Sequence, residues 1–257
     1  MSASRFTVLL FVVSASIPGM SRADPTDLPA EPEAIAARAT VADDAFTPAI
    51  KNAEGHGRGI ATAVAGWNGA AHHSAVDLNG EVQVFGPVRL VLRVDNVFDV
   101  ARPGIGGAVQ WLDERKHGVA ASAYFVYKAE GFTEAEGELE GLIAFGKQLG
   151  AVHGTLNLAY GQDPEGRERD GEIALALHVE PVHGAFAGVM GRYRDALGSH
   201  GDKATGILRD ALGGVTAGYA IGNVGVVATA GIAGIETVTS GSMTAGAEVG
   251  LAVGAVF

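Results

Sequence analysis

The chain contains no cysteine, which excludes a small domain stapled by disulfide bonds. It is also poor in charge: only 18% of its 257 residues are charged, and 29 acidic residues face 18 basic ones. The net charge of -11 excludes a basic nucleic-acid-binding protein. Glycine occurs 38 times, roughly twice its usual share, and mean hydropathy is positive at +0.21. A chain that is both apolar and acidic requires a fold that places its apolar and its acidic side chains on different surfaces.

Residues 1–23 have the three parts of a secretory signal peptide. Arg5 provides the positive charge, and the apolar stretch from Phe6 to Ile17 is too short to span a bilayer as a helix. Ser21 and Ala23 are small residues at the positions that a signal peptidase reads. We therefore expect cleavage near Ala23, the alternative being an uncleaved membrane anchor.

Residues 24–57 differ in composition from the rest of the chain, because they begin with a segment rich in proline and acidic residues. We expect a polar periplasmic leader or linker here, either a flexible tether or a small docking element or plug. Export without cysteine is compatible with a bacterial envelope, where disulfides are optional.

From residue 58 onward, apolar and polar residues alternate. In the segment 76–85, Val76, Leu78 and Val82 share one face, while Asp77, Asn79, Glu81 and Gln83 share the other. A helix would scatter both sets around its surface, whereas a strand places them on opposite sides. The alternation therefore indicates strands with one apolar and one polar face.

Twelve such segments follow one another, each long enough to cross a bilayer as a tilted strand. They cover 59–68, 75–85, 88–98, 104–113, 119–128, 134–145, 151–160, 171–181, 185–194, 207–220, 224–235 and 245–257. Short connections follow the even-numbered segments, and most of the longer, more polar ones follow the odd-numbered segments. This asymmetry predicts an all-β fold over 58–257: a closed antiparallel transmembrane β-barrel of about 12 strands.

Two other folds compete with this prediction. Residues 211–235 carry no charge and could suggest a membrane-spanning helical hairpin, but seven of the 25 are glycine, each costing about 1 kcal/mol in a helix relative to alanine. A soluble periplasmic β-sandwich would also alternate. The even strand count and the ordered turn lengths favour the barrel.

Aromatic residues supply a further indication. Near the predicted strand ends they form two groups, one beside the long loops (Trp67, Phe98, Tyr127, Tyr160, Tyr193) and one beside the short turns (Phe85, Trp111, Phe145, Phe186, Tyr219, Phe257). Two aromatic girdles are typical of barrels at two water–lipid interfaces. Phe85 and Phe186 fit less well, because the alternation places their side chains on the inward face.

The last segment carries the most specific feature. It ends in Phe257, with Val249, Leu251, Val253 and Ala255 on the same face. In this respect the chain resembles bacterial outer-membrane β-barrel proteins, whose final strand carries a signal for the barrel-assembly machinery. The resemblance implies a location in the outer membrane of a Gram-negative envelope, with membrane lipid and that machinery as partners. It covers 58–257 and brings no functional residues with it.

If the apolar faces meet lipid, the opposite faces line the lumen. The titratable residues expected there are Asp77, Glu81, Arg89, Arg93, Asp95, Glu138, Glu140, His153, Glu172, His178, Glu180, Arg192, Arg194, Asp210 and Glu248. A three-residue turn at 86–88 would set Glu81 opposite Arg93. Small inward residues such as Gly218 and Gly246 would leave room in the lumen or admit the leader.

Three functions remain open. Because acidic residues outnumber basic ones, a wet lumen would make the barrel a narrow, porin-like diffusion channel that prefers cations among small ions or solutes. A closed, ion-paired interior would instead make it a structural or interaction barrel whose external loops bind a partner. The third possibility is a barrel hydrolase.

Signals for catalysis are weak, so an enzyme is the less favoured interpretation. His72, His73 and Ser74 lie in a predicted loop, and spacing alone does not define a hydrolase site. His153 and His178 lie on neighbouring predicted strands and could share a site with Glu140 or Glu180. We assign no catalytic residue, metal site or cofactor, and expect no nucleic-acid partner.

Overall fold

A computed structural model describes residues 59–132, 136–164, 168–197, 207–238 and 240–257. The predicted signal peptide (1–23) and leader (24–57) lie outside these ranges. The described residues form one short helix, α1 (Glu114–His117), and strands with the following bounds: β1 (Gly59–Asn68), β2 (His73–Phe85), β3 (Val88–Asp95), β4 (Arg102–Leu112), β5 (Ala120–Ala129), β6 (Gly137–Leu149), β7 (Val152–Gln162), β8 (Arg169–Val182), β9 (Ala185–Ala196), β10 (Ile207–Ile221), β11 (Val224–Thr237) and β12 (Met243–Val256).

These strands form a closed antiparallel barrel, which confirms the predicted fold class and strand number. Each strand pairs with its neighbour in sequence, and β12 returns to pair with β1, from Ile60 opposite Val256 to Asn68 opposite Glu248. Beyond this ladder, the backbone N–H groups of Gly59 and Phe257 each donate to the other residue's carbonyl oxygen at 2.9 Å. Closure leaves no strand edge without a partner, as a bilayer requires.

The alternation of side chains separates the two walls of the barrel. In β2, Leu78 and Val82 on the outer wall are 43% and 41% exposed, whereas the inward Glu81 is 1% exposed. The outer wall thus presents apolar side chains, and the polar ones are enclosed. Among the described residues, no helix has the length and apolar character needed to span a membrane.

The two ends of the barrel differ in their connections. Four hairpins at one end have two-residue turns, and Gly184 (φ 81°) and Gly222 (φ 56°) take the left-handed conformation there. The fifth connection holds α1, capped by the Asp113 side chain and by Gly118. We call this the short-turn end. The opposite long-loop end carries longer connections, including the β1–β2 loop at 69–72.

The predicted register between β2 and β3 is wrong. Glu81 lies opposite Val91, and Arg93 lies opposite Asn79. The turn contains only Gly86 and Pro87, and a register shift between Gln83 and Phe85 displaces the pairing further. The same irregularity turns Phe85 outward, where it is 79% exposed, although its parity in the sequence points inward.

The buried residues lie inside the barrel, in three apolar clusters along the inner wall. One joins β1, β9, β11 and β12 (Ile60, Val64, Phe186, Val227, Ala252). The second covers β3–β6 (Val91, Ala108, Ala120, Tyr124, Val126, Leu142, Ala144), and the third covers β8–β11 (Ala174, Ala176, Met190, Leu212, Ala233). Side chains of the barrel itself therefore fill much of the lumen.

Candidate functional site: the lumen

A charged cavity of about 380 Å³ occupies the long-loop end of the lumen. We call it the vestibule. Among the residues that the structure describes, its wall carries nine acidic ones (Asp77, Asp95, Glu130, Glu138, Glu140, Asp163, Glu168, Asp170, Glu172) and seven basic ones (Arg93, Arg102, Lys128, Arg169, Arg192, Arg194, Arg209). The lining is strongly polar and has an excess of negative charge.

An ion-pair network on β3, β5 and β6 forms one side of the vestibule. Arg93 donates to Asp95 at 2.9 Å and to Glu140 at 3.1 Å, so its side chain links strands that are not neighbours. Lys128 contacts Glu140 at 2.8 Å and Glu138 at 3.2 Å. In these contacts, three carboxylates share two cations.

A second network lies on β8, β9 and β10. Arg192 donates to Asp210 at 2.5 Å and lies 3.9 Å from Glu172, while Arg194 pairs with Asp170. These pairs are diagonal, because the register sets Arg194 between Glu172 and Asp210. Here too, three carboxylates face two guanidinium groups.

Hydrogen bonds hold other acidic groups near the loops. Glu248 accepts from the Asn68 side chain at 2.7 Å, across the β1–β12 closure. Asn68 Oδ1 in turn accepts from the backbone N–H groups of Ala70 and Ala71, both at 3.0 Å. Asp77 accepts from the backbone N–H of Asn96 at 2.9 Å. The barrel closure and the β1–β2 loop are therefore tied together by one carboxylate and one amide.

The β1–β2 loop also fills space inside the barrel. Ala70 packs against the apolar cluster on β8–β11. A Cβ atom on the inward Gly246 would collide with the backbone of Gly69 and Ala70. The loop backbone therefore occupies the space that a side chain at position 246 would need.

The short-turn half of the lumen is packed rather than open. We call its buried inward residues (Ile60, Glu81, Arg89, Ser122, His153, His178, Phe186, Val227) the short-turn layer. One part is apolar: the Phe186 ring packs against the β1, β11 and β12 residues and lies over Gly218, directly opposite it in the register. Side chains therefore fill this half of the lumen.

The rest of the short-turn layer is polar. Arg89 donates to Glu81 at 2.8 Å and to Ser122 Oγ at 3.2 Å, and all three are buried. His153 and His178 are directly opposite in the register, with ring centroids 4.9 Å apart. The His178 ring centroid also lies 6.4 Å from that of Phe186.

The sequence-predicted lumen residues therefore divide into separate groups. Eight line the vestibule (Asp77, Arg93, Asp95, Glu138, Glu140, Glu172, Arg192, Arg194), Asp210 contacts the lining residue Arg192, Glu248 contacts Asn68, and Glu81, Arg89, His153 and His178 lie in the short-turn layer. Glu180 accepts from the Gly184 backbone N–H at 2.5 Å, at a turn. The structure pairs Glu140 with Arg93 and Lys128 in the vestibule, whereas the two histidines lie together in the short-turn layer.

Sequence reasoning missed the inward face of β5. Ser122, Tyr124 and Lys128 share one parity and all contact the networks above. The position of Lys128 could have identified this face, because a single charged residue in an otherwise apolar strand indicates which side chains are enclosed. Within the described ranges, no group of three or more His, Asp or Glu side chains is arranged to hold a metal ion.

The residues of the expected barrel-assembly signal lie on β12 and at its end. Val249, Leu251 and Val253 are exposed on the outer wall, Ala255 is half-buried, and Phe257, which follows the strand, is exposed. The outer wall of the closing strand is thus apolar over its short-turn half.

No protein-family profile matches the chain, and no curated protein does. Among solved structures, the NanC porin is similar in fold, with a TM-score of 0.55 at 8% identity, covering 77% of this chain and 98% of the porin. An outer membrane channel from Pseudomonas putida F1 matches at TM-score 0.48 and 11% identity, over 77% and 94% of the two chains. Pseudomonas aeruginosa OpdO matches at 0.39 and 12%, over 72% of this chain and 57% of its own. The likeness to the porin concerns the fold alone: this is the fold of an outer-membrane β-barrel, as the sequence predicts.

Proposed function

We propose that the chain lies in the bacterial outer membrane and acts as a narrow diffusion channel for small ions and solutes. One observation carries this proposal: an apolar outer wall encloses a charged cavity of about 380 Å³ at the long-loop end of the lumen. A barrel interior with only a structural role would not need a charged cavity of this size, because apolar side chains fill other parts of the interior.

The channel prefers cations. Within the described ranges, nine acidic residues and seven basic ones line the vestibule, and the ion pairs of each network join three carboxylates to two cations. An excess of one charge sign in a narrow, low-dielectric passage raises the local concentration of the opposite ion. The excess is modest, so we expect a preference rather than strict exclusion of anions.

The packed short-turn layer favours a second candidate, a structural barrel with a closed interior. Its inward side chains, Phe186 and Glu81 among them, are almost completely buried. In this case the external loops would carry the function by binding a partner. The two candidates differ in one measurable property, which is passage of solute.

Solute flux into liposomes tests the proposal. The purified protein should admit small cations faster than small anions of the same size, whereas a closed barrel admits neither. The double variant Glu138→Gln/Glu172→Gln removes one carboxylate from each network and brings the vestibule to seven acidic and seven basic residues. It should lose the cation preference, while Glu114→Gln in α1, outside the vestibule, should keep it.

The proposal includes a route to the membrane. Residues 1–23 direct export, cleavage occurs near Ala23, and residues 24–57 remain as a periplasmic leader. The assembly machinery recognises the apolar residues that end at Phe257. The N-terminal sequence of the protein isolated from membranes tests the cleavage directly, since an intact Met1 would contradict it.

A further inference from the structure

Three exposed cations lie together at the short-turn end. Arg115 and Lys116 are in α1, and Lys147 is near the end of β6. Glu114 Oε1 accepts a hydrogen bond from the backbone N–H of Gln148 at 2.7 Å. Because Arg115 follows Glu114 and Lys147 precedes Gln148, this hydrogen bond brings the two cations of α1 beside the cation of β6. We call Arg115, Lys116 and Lys147 the basic patch.

The carboxylates beside the basic patch bind the backbone instead of its cations. The Asp113 side chain accepts from the backbone N–H of Arg115 at 2.9 Å and caps α1, while Glu114 binds the backbone of β6. Within the described ranges, the three side chains of the patch form no ion pair or hydrogen bond with the protein. Arg209, an exposed cation at the opposite end, contacts two carboxylates. The cations of the patch are therefore available to a partner outside the barrel.

The basic patch lies where the outer wall reaches the edge of the membrane. Trp111, on the outer wall of β4, comes two residues before Asp113 and is 49% exposed. Other aromatic residues at the short-turn end are exposed as well (Phe85, Tyr219, Phe257). Such a girdle is typical of a water–lipid interface. Lys147 has the same parity as the outward Ile143, so its side chain starts from the lipid-facing wall.

The outer wall between the basic patch and the membrane core is apolar. Strands β4, β5 and β6 expose large apolar side chains there (Val109, Trp111, Phe125, Ile143). A phospholipid has the same two parts in the same order, a polar headgroup and apolar chains. Lysine and arginine at a membrane surface attract anionic headgroups, and the short turns of outer-membrane barrels face the periplasm. The patch and the wall together match an anionic phospholipid of the periplasm-facing leaflet.

We propose that the basic patch binds the headgroup of an anionic phospholipid in that leaflet, with an acyl chain against Trp111. The phosphate accepts hydrogen bonds from the side chains of α1 and from Lys147, and the chain covers the apolar wall of β4 and β5. The inference rests on the membrane location that is part of the proposed function. It does not require that the barrel conducts.

The competing occupant is the acidic segment 24–33 of the chain itself. This segment contains four acidic residues and no basic one, so its charge also complements the basic patch. The apolar wall favours the lipid, because an acidic segment in water makes no use of an apolar surface that continues toward the membrane core. The two occupants differ in a measurable way, since only the lipid brings an acyl chain to Trp111.

Quenching of Trp111 fluorescence by brominated lipid tests the inference. The chain has two tryptophans, and Trp67→Phe removes the one near the long loops. The mature chain is placed in phosphatidylcholine vesicles that contain a minor fraction of either phosphatidylglycerol or phosphatidylcholine brominated on its acyl chains. Brominated phosphatidylglycerol should quench Trp111 several-fold more strongly than the same fraction of brominated phosphatidylcholine. Equal quenching by the two lipids would overturn the inference.

Lys147→Gln and Asn223→Asp form a matched pair of variants. Each lowers the net charge of the short-turn end by one, but Asn223 lies in the β10–β11 turn, away from the basic patch. Lys147→Gln should raise the fraction of brominated phosphatidylglycerol needed for half-maximal quenching by roughly five-fold. Asn223→Asp should change it little, and Lys147→Arg, which keeps the charge, should retain the wild-type value. Equal effects of Lys147→Gln and Asn223→Asp would indicate general repulsion and overturn the inference.

Disulfide formation distinguishes the lipid from segment 24–33. The chain has no cysteine of its own, so two introduced thiols report their encounter without background. In phosphatidylglycerol-containing vesicles, the double variant Glu31→Cys/Lys147→Cys should form its disulfide no faster than Glu31→Cys/Asn223→Cys. Faster formation in the first variant would assign the basic patch to the segment and overturn the inference.

The outcomes separate the inference from the proposed channel. The comparison of the two brominated lipids leaves the basic patch unchanged, so it decides the case in which a patch variant fails to fold. A barrel that does not conduct but prefers phosphatidylglycerol refutes the channel and supports the inference. A barrel that conducts and is quenched equally by both lipids refutes the inference alone.

Discussion

Replacing Phe186 with alanine should destabilise the barrel and widen its lumen. The ring is 4% exposed and packs against Ile60, Val64, Val227 and Ala252. Loss of a buried phenylalanine costs about 3 to 5 kcal/mol. We expect the upper part of that range, because the ring lies over Gly218 and beside Ala252, which have too little side chain to fill the space.

Urea titration of the barrel in lipid vesicles, followed by tryptophan fluorescence, measures this loss. Phe85→Ala is the matched control, because Phe85 is 79% exposed at the end of β2 and should cost much less. The Phe186→Ala barrel should also have the larger single-channel conductance of the two variants. A loss below about 1 kcal/mol for Phe186→Ala would refute the reasoning, as would equal losses for both variants.

Three further predictions follow from the same structure. Unheated protein should migrate differently from heated protein in detergent electrophoresis, because a closed barrel resists the detergent; identical migration would contradict closure. Gly246→Ala should displace the β1–β2 loop and lower stability, whereas Gly213→Ala on the outer wall, where nothing lies within 4 Å of an added Cβ, should be tolerated in the same urea titration. Arg192→Gln should strengthen the preference for cations, since it leaves the carboxylates of Asp210 and Glu172 without that partner; a weaker preference in the flux assay would contradict the electrostatic account.

The fold could be predicted from the sequence because strand geometry has a period of two. The alternation in residues 76–85 alone distinguishes the enclosed Glu81 from the outward Leu78, whatever the neighbouring strands do. Turn lengths then order the strands, since a two-residue connection such as Gly222–Asn223 leaves only a hairpin. The closed barrel with its 12 strands follows from these local signals.

The register could not be predicted in the same way. It depends on the irregularity between Gln83 and Phe85, which a count of turn residues does not show. The two-residue turn and this irregularity together changed the partner of Glu81, and the irregularity turned Phe85 outward. The sequence therefore predicts Arg93 opposite Glu81, whereas the structure pairs Glu81 with Arg89.

The filling of the lumen was also out of reach of the sequence. Small inward residues predict space, but not its occupant. Phe186 occupies the space over Gly218, and the backbone of Gly69 and Ala70 occupies the space at Gly246. Such contacts join residues that are close only in the folded barrel, so neither alternation nor spacing indicates them. The lumen is therefore narrower than its glycines suggest.

The most direct test of the central claim, that this barrel conducts ions through a narrow lumen of net negative charge, is a planar-bilayer recording of the purified wild-type protein. We predict small, discrete conductance steps. Under a potassium chloride gradient, their reversal potential should be shifted from zero toward the equilibrium potential of potassium. Absence of conductance at all voltages and salt concentrations, or a reversal potential shifted toward the equilibrium potential of chloride, would contradict the account.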